Sequence, residues 1–288
     1  MNDHVAKPSN AEIAVAFREA ASLLRAQGAN PFRVSAYEKA ADTIANLRQD
    51  VASLAVEGVE ALEDLPHVGS GLASAILEMA RTGRWTQLER LRGAADPEAL
   101  FQLIPGIGPA VARRIHDHLE CETLEALEVA AHDGRLAAVP GVGPRRAAAI
   151  LLGLSGLLNR RRPVAPRHGP GDQRPAVAML LEVDREYRDK ASLGKLQLIA
   201  PKRFNPEAKA WLPILHTERG PWHFTALHSN TARAHDLRKT GDWVVIYYAI
   251  DKQPEGQCTV VTETTGPLRG QRVVRGREGE TRPLPDAG

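Results

Sequence analysis

Two cysteines in 288 residues, Cys121 and Cys258, are too few and too far apart for a disulfide framework or a cysteine-based zinc site. A reducing, cytoplasmic setting is the natural expectation. No apolar run approaches the ~18 residues of a membrane-spanning helix. The first ten residues, MNDHVAKPSN, lack the apolar core of a secretory signal. What remains is the balance of a folded soluble protein, 43% hydrophobic and 25% charged, long enough for two domains.

The formal net charge of +2 conceals an asymmetry. Residues 1–158 hold 15 Lys and Arg against 20 Asp and Glu; residues 159–288 hold 22 against 15. A basic second half suits a polyanionic partner or a solvated surface.

Pattern divides the chain the same way. Residues 11–158 are rich in Ala and Leu with apolar residues at three- and four-residue spacing, as in Ile13, Phe17, Ala20 and Leu24. Asn10 is the expected cap of that first helix. Residues 159–175, NRRRPVAPRHGPGDQRP, read as a basic Pro/Gly linker. Residues 176–282 offer short Val-, Ile-, Thr- and aromatic-rich runs between turn residues, a mostly antiparallel β domain. Within it, Ser229-Asn230-Thr231 opens a short capped helix. Residues 283–288 read as a disordered tail. The expected fold is therefore α + β and multidomain: an all-α N-terminal half, with units at 1–92 and 93–158, and a β-rich C-terminal domain.

One pattern occurs three times: LPHVGSGLASAI (65–76), IPGIGPAVARRI (104–115) and VPGVGPRRAAAI (139–150). Aligned on Pro66, Pro105 and Pro140, the copies share Gly69, Gly108 and Gly143, then Ala73, Ala112 and Ala147, then Ile76, Ile115 and Ile150. Glycines make a tight hairpin and let an anion approach the main chain. The helix that follows presents unpaired N–H groups carrying partial positive charge. A glycine hairpin feeding a helix N-terminus is an anion site. The candidate contacts are Gly69, Ser70 and Gly71 in the first copy, Gly106, Gly108, Arg113 and Arg114 in the second, and Gly141, Gly143, Arg145 and Arg146 in the third. Such contacts hold a nucleic-acid backbone without reading bases. A dinucleotide fingerprint is excluded, because its third glycine and its preceding strand are missing.

Together with NPFRVSAYEKAADTI (30–44), these hairpins resemble the N-terminal region of bacterial family X DNA polymerases, relatives of DNA polymerase β, over residues 10–158. The resemblance implies helix-hairpin-helix motifs that grip DNA on either side of a gap or nick. It also implies a K⁺ or Na⁺ ion held by hairpin carbonyls, here those of Ile104, Ile107, Val139 and Val142. Arg33 and Tyr37 match a basic residue and a tyrosine of the family's 5′-phosphate pocket, and Phe32 stands where a ring stacks beside the break. Other family residues are replaced. Glu63 and Gly71 stand at two pocket lysines, and Ala75 stands at the lysine that forms the Schiff base of the lyase. No lysine lies between Lys39 and Lys190. After residue 158 no Gly-Ser pair precedes an Asp-x-Asp strand, so lyase and polymerase chemistry are both expected to be absent.

The β-rich segment carries weaker signals. Glu182, Asp184 and Glu186 would share one side of a strand, where carboxylates can hold Mg²⁺ or pair with Arg185 and Arg188. His216, His223, His228 and His235 fall on or near a hairpin turning at Arg219-Gly220-Pro221. Aromatics near Lys202, Arg203, Arg233, Arg238 and Lys239 suit stacking on an unpaired base. Arg269, Arg272, Arg275 and Arg277 form a basic stripe. The expectation is a nucleoid-associated, sequence-independent DNA-binding protein of repair, with a repair protein as a further partner. The alternative is a metal-dependent DNA-processing enzyme with Glu182 and Asp184 in its β domain; a third reading makes that domain a protein-interaction module.

Overall fold

The computed structural model describes residues 8–158, 174–250 and 255–281. Nearly all of the 159–175 linker, and the whole 283–288 tail, lie outside them.

The chain opens with α1 (Asn10–Ala26) and α2 (Pro31–Ala45), a tightly packed antiparallel pair. Ser9, not Asn10, caps α1: its hydroxyl accepts from Glu12 N–H, and the Glu12 carboxylate accepts from Ser9 N–H. Asn10 is the first helical residue instead. Its side chain donates to the Leu47 and Gln49 carbonyls and accepts from Val51 N–H, tying α1 to α3. Short helices α3 (Val51–Glu57) and α4 (Val59–Glu63) lead to α5 (Ser70–Thr82) and α6 (Thr86–Arg92).

Three units then repeat a short helix, a glycine hairpin and a longer helix. They are α4 with α5, α7 (Pro97–Phe101) with α8 (Pro109–Leu119), and α10 (Arg135–Ala138) with α11 (Gly143–Leu157), with α9 (Leu124–His132) between the last two. The repeated small residues Ala73, Ala112 and Ala147, and the repeated Ile76, Ile115 and Ile150, are all buried, which explains their recurrence.

The carboxyl of Glu78 on α5 accepts from the Thr86 backbone N–H at 2.9 Å and from its hydroxyl. Burial, with Glu125 nearby, pushes that carboxyl up to about 8. A carboxyl with a raised pKa in the folded state favours folding at low pH, and that contribution is lost as the pH climbs from about 4.5 through about 8. Glu78→Gln keeps an acceptor for Thr86 without the charge. It should raise the melting temperature at pH 9 and leave it nearly unchanged at pH 5, as thermal melts at the two pH values would show.

The C-terminal region begins with α12 (Val177–Ser192), followed by a six-stranded antiparallel sheet. Its strands are β1 (Gln197–Ile199), β2 (Leu212–Arg219), β3 (Trp222–His228), β4 (Val244–Ala249), β5 (Gly256–Thr262) and β6 (Arg272–Val274), neighbours in sequence and in space. The expected capped helix is present as α13 (Ala232–Asp236), with the Thr231 hydroxyl accepting from Ala234 N–H.

The 180–188 segment is a helix, not a strand. Leu180, Val183 and Tyr187 recur at three- and four-residue spacing and are all buried against the sheet. Glu182, Asp184 and Glu186 therefore do not share one side.

Alternation along the strands decides what each sheet face covers. Ala226 pairs with Ile246 and both pack under α12; Leu227 pairs with Val245 and both pack against the N-terminal helices. The sheet is thus the middle of three layers, buried on both faces, and its runs read as nearly continuous apolar sequence. Gly93, the residue after α6, lies at this junction at φ +75°. A Cβ there would sit 2.6 Å from the Ala200 carbonyl oxygen, and the Gly93 carbonyl accepts from Lys202 N–H at 2.7 Å. Gly93→Val should cost about 2–3 kcal/mol, from backbone strain and overpacking together. Urea unfolding would measure it.

Candidate nucleic-acid interface

In each hairpin the residue after the proline takes a left-handed turn: Gly106 at φ +88°, Gly141 at φ +78°, and His67 at φ +63° in the first copy. An amide closes each loop onto the residue before the proline, Val68 to Leu65, Ile107 to Ile104 and Val142 to Val139, at 3.0–3.1 Å. Gly69 and Gly108 then cap α5 and α8 in ordinary extended backbone, at φ −84° and −89°.

Nothing among the described residues demands glycine at those two positions. A Cβ added at Gly69, Gly71 or Gly108 would meet no atom within 4 Å. Ser70 begins α5 beside them. The space in front of both glycines is therefore open, and neither helix N-terminus has a side-chain cap hydrogen bond.

The third hairpin differs. Val142 is helical and Gly143 sits at φ +66°. Arg146 folds back and donates to the Gly141 carbonyl at 2.7 Å. Arg114, from the second unit, lies against Gly141, its guanidinium 3.0–3.1 Å from where a Cβ would be. Arg113 and Arg145 are exposed. The carbonyls of Ile104 and Ile107 are the donor type that K⁺ or Na⁺ takes, and that of Ile104 already accepts from Ile107 N–H at 3.1 Å. At the third, the Val139 carbonyl accepts from Val142 N–H at 3.0 Å, and Arg146 brings its positive charge to the neighbouring Gly141 carbonyl.

Arg33 and Tyr37 are not offered to a common open pocket. Arg33 lines a cleft with Asn30, His216, Glu218 and His223, formed where α2 meets β2 and β3. Tyr37 is buried against Phe17 and Trp85 and donates its hydroxyl to Gln87 at 3.1 Å. Ala75 is buried in the core, and Phe32 is 86% exposed.

His216, Glu218 and His223 share the cleft that Arg33 lines, but Glu182, Asp184, Glu186, His228 and His235 do not line it. Asp184 is fully buried and accepts from Arg272 at 2.6 Å and Arg188 at 3.0 Å. Glu182 is exposed, and Glu186 pairs with Lys190 and Arg219. His216 bonds Thr225 and Gln27, and burial takes it down to about 3, a neutral ring. His223 bonds Glu218, and His235 bonds Asn230. Among the described residues no group of three His, Cys, Asp or Glu is placed to hold a metal ion.

The basic stripe is largely spent on internal pairs. Arg272 joins Asp184 and Asp242, Arg277 joins Glu280, and Arg275 reaches Glu120 at 2.5 Å. Arg203 meets Glu98 at 2.6 Å. Part of the charge asymmetry is thus one half of the molecule neutralising the other. Sequence patterning carried no signal for the long-range pairs, Arg272 with Asp184, Arg203 with Glu98 and Arg275 with Glu120, which lie 88, 105 and 155 positions apart.

Comparison with known proteins agrees with the hairpin geometry. The family described as a helix-hairpin-helix domain matches residues 8–85, and the SAM-like helix-hairpin-helix tandem matches residues 59–119 and 98–155. DNA polymerase/3′-5′ exonuclease PolX of Bacillus subtilis (strain 168) is 32% identical over 142 residues. The N-terminal half is a helix-hairpin-helix region like that of family X polymerases. The match covers 48% of this chain but only 24% of PolX, so the resemblance of this helix-hairpin-helix region extends to about a quarter of that relative. No helix among the described residues is long and apolar enough to cross a membrane.

Proposed function

We propose that this protein binds DNA through the sugar-phosphate backbone, without reading sequence, and acts in repair at gaps or nicks. The observation that carries the reading is the open space in front of Gly69 and Gly108. Neither backbone conformation nor packing among the described residues calls for glycine there, and its recurrence in both copies suits a ligand that approaches the main chain from outside. A phosphate on the N–H groups that open α5 and α8 is such a ligand. Arg113 and Arg145 add charge beside the second and third hairpins. The likeness to PolX, a DNA polymerase and 3′-5′ exonuclease, supports a role on DNA.

The reading that puts metal-dependent cleavage at Glu182 and Asp184 has less support, because the Asp184 oxygens are engaged by two arginines. Competition binding tests the proposal. A duplex with a one-nucleotide gap should displace labelled DNA at lower concentration than the intact duplex of the same sequence. Equal potency would remove the repair-site reading and leave the backbone grip.

A further inference from the structure

Phe204 has no role in the core. It is 49% exposed and sits at φ +53°, a conformation that costs a phenylalanine about 1–3 kcal/mol. The backbone around it is nonetheless pinned. The Asn205 side chain accepts from Lys209 N–H and donates to the Lys209 carbonyl, while Asn230 donates to the Arg203 carbonyl at 3.1 Å. The fold thus holds an apolar ring in solvent at a fixed place.

Its surroundings give the ring a use. His235 lies behind it, ring centroids 4.5 Å apart, and Trp211 stands edge-on to His235 at 6.4 Å. The Arg203 guanidinium is 5.3 Å from the Phe204 ring centre. Lys202 and Lys209, two and five positions from Phe204, are exposed. An exposed aromatic face beside a guanidinium is complementary to a nucleic-acid strand with its bases unpaired, not to a closed duplex, whose base faces are covered.

The patch is also joined to the second hairpin. Arg113, in the first turns of α8, approaches Glu98 at 3.8 Å; Glu98 holds Arg203 at 2.6 Å, and Arg203 borders Phe204. We propose that Phe204, backed by His235, is a stacking platform for an unpaired base of the strand whose phosphate the second hairpin holds. This rests on the backbone-binding reading above and gives that reading a preference for single-stranded DNA next to duplex.

The test compares two probes, a blunt duplex and the same duplex with a single-stranded thymidine overhang, by fluorescence anisotropy on the full chain. Phe204→Ala should weaken overhang binding about tenfold and change blunt-duplex binding less than twofold. Phe204→Trp should restore the overhang affinity, which excludes a folding defect. Gly108→Asp should weaken both probes. Unchanged overhang affinity in Phe204→Ala, or an equal loss on both probes, overturns the platform. If Gly108→Asp also leaves both affinities intact, the hairpin reading falls with it.

Discussion

The Gly69→Asp/Gly108→Asp double variant should melt at or above the temperature of the unaltered protein and bind DNA about a hundredfold more weakly. The two effects have opposite signs for one reason. Both glycines occupy the cap position of a helix in extended backbone with open space in front. Aspartate is a better cap than glycine by a few tenths of a kcal/mol and its charge suits a helix N-terminus. The same carboxylate would take the amides a phosphate needs and repel the phosphate as well. A hydrogen bond to a charged group contributes about 1.5–3 kcal/mol, so about tenfold for each hairpin is a conservative expectation. The sites are on separate helices, and their effects should add. Anisotropy titrations and thermal melts on the same preparation would check both halves of the statement. Gly106→Asp is a poorer test, since Gly106 sits at φ +88° and loses stability for its own reason.

Asp184→Ala should lower stability by about 3–5 kcal/mol. The carboxylate is fully buried between α12 and β6 and receives two arginines. Removing it leaves the Arg272 guanidinium, itself mostly buried, short of its main counter-charge. Asp242 and the Val260 carbonyl remain as partners and limit the damage. Urea titration gives the value. A reading in which Asp184 serves cleavage predicts the reverse pattern, lost nuclease activity at little cost in stability.

The hairpins were legible in the sequence because their signal is local. Proline, glycine, alanine and isoleucine at fixed offsets specify a turn, a bare helix start and a packed face, and all three lie within twelve residues. The β meander was legible for a similar reason, since turn residues separate its strands. The segment around Asp184 misled because charges two apart suggest a strand, while the stronger indication was the apolar spacing of Leu180, Val183 and Tyr187. Its charges pair along the helix, Asp184 with Arg188 and Glu186 with Lys190, and reach the sheet at Arg272 and Arg219.

The junction between the two halves was not legible at all. Arg90 is buried beneath the sheet, paired with Glu255 and lying 3.2 Å from the centre of the Tyr247 ring, whose hydroxyl bonds Glu122. Gln257 bridges Glu120 and Glu122 from β5. Each partner looks like an ordinary surface residue in its own segment, and only the fold makes it buried. At the same junction Arg203 meets Glu98 and Arg275 meets Glu120, basic half to acidic half, and these pairs remove two arginines from any count of DNA contacts. The junction also puts β2 and β3 over the face of α2 that bears Arg33.

The most direct measurement is the affinity of the full chain for two duplexes of unrelated sequence across a range of salt. Backbone binding predicts equal affinities for the two and a log–log slope of several units, since each neutralised phosphate contributes about 0.9. A marked preference for one sequence, or an affinity indifferent to salt, would contradict the claim that these hairpins hold DNA by its phosphates.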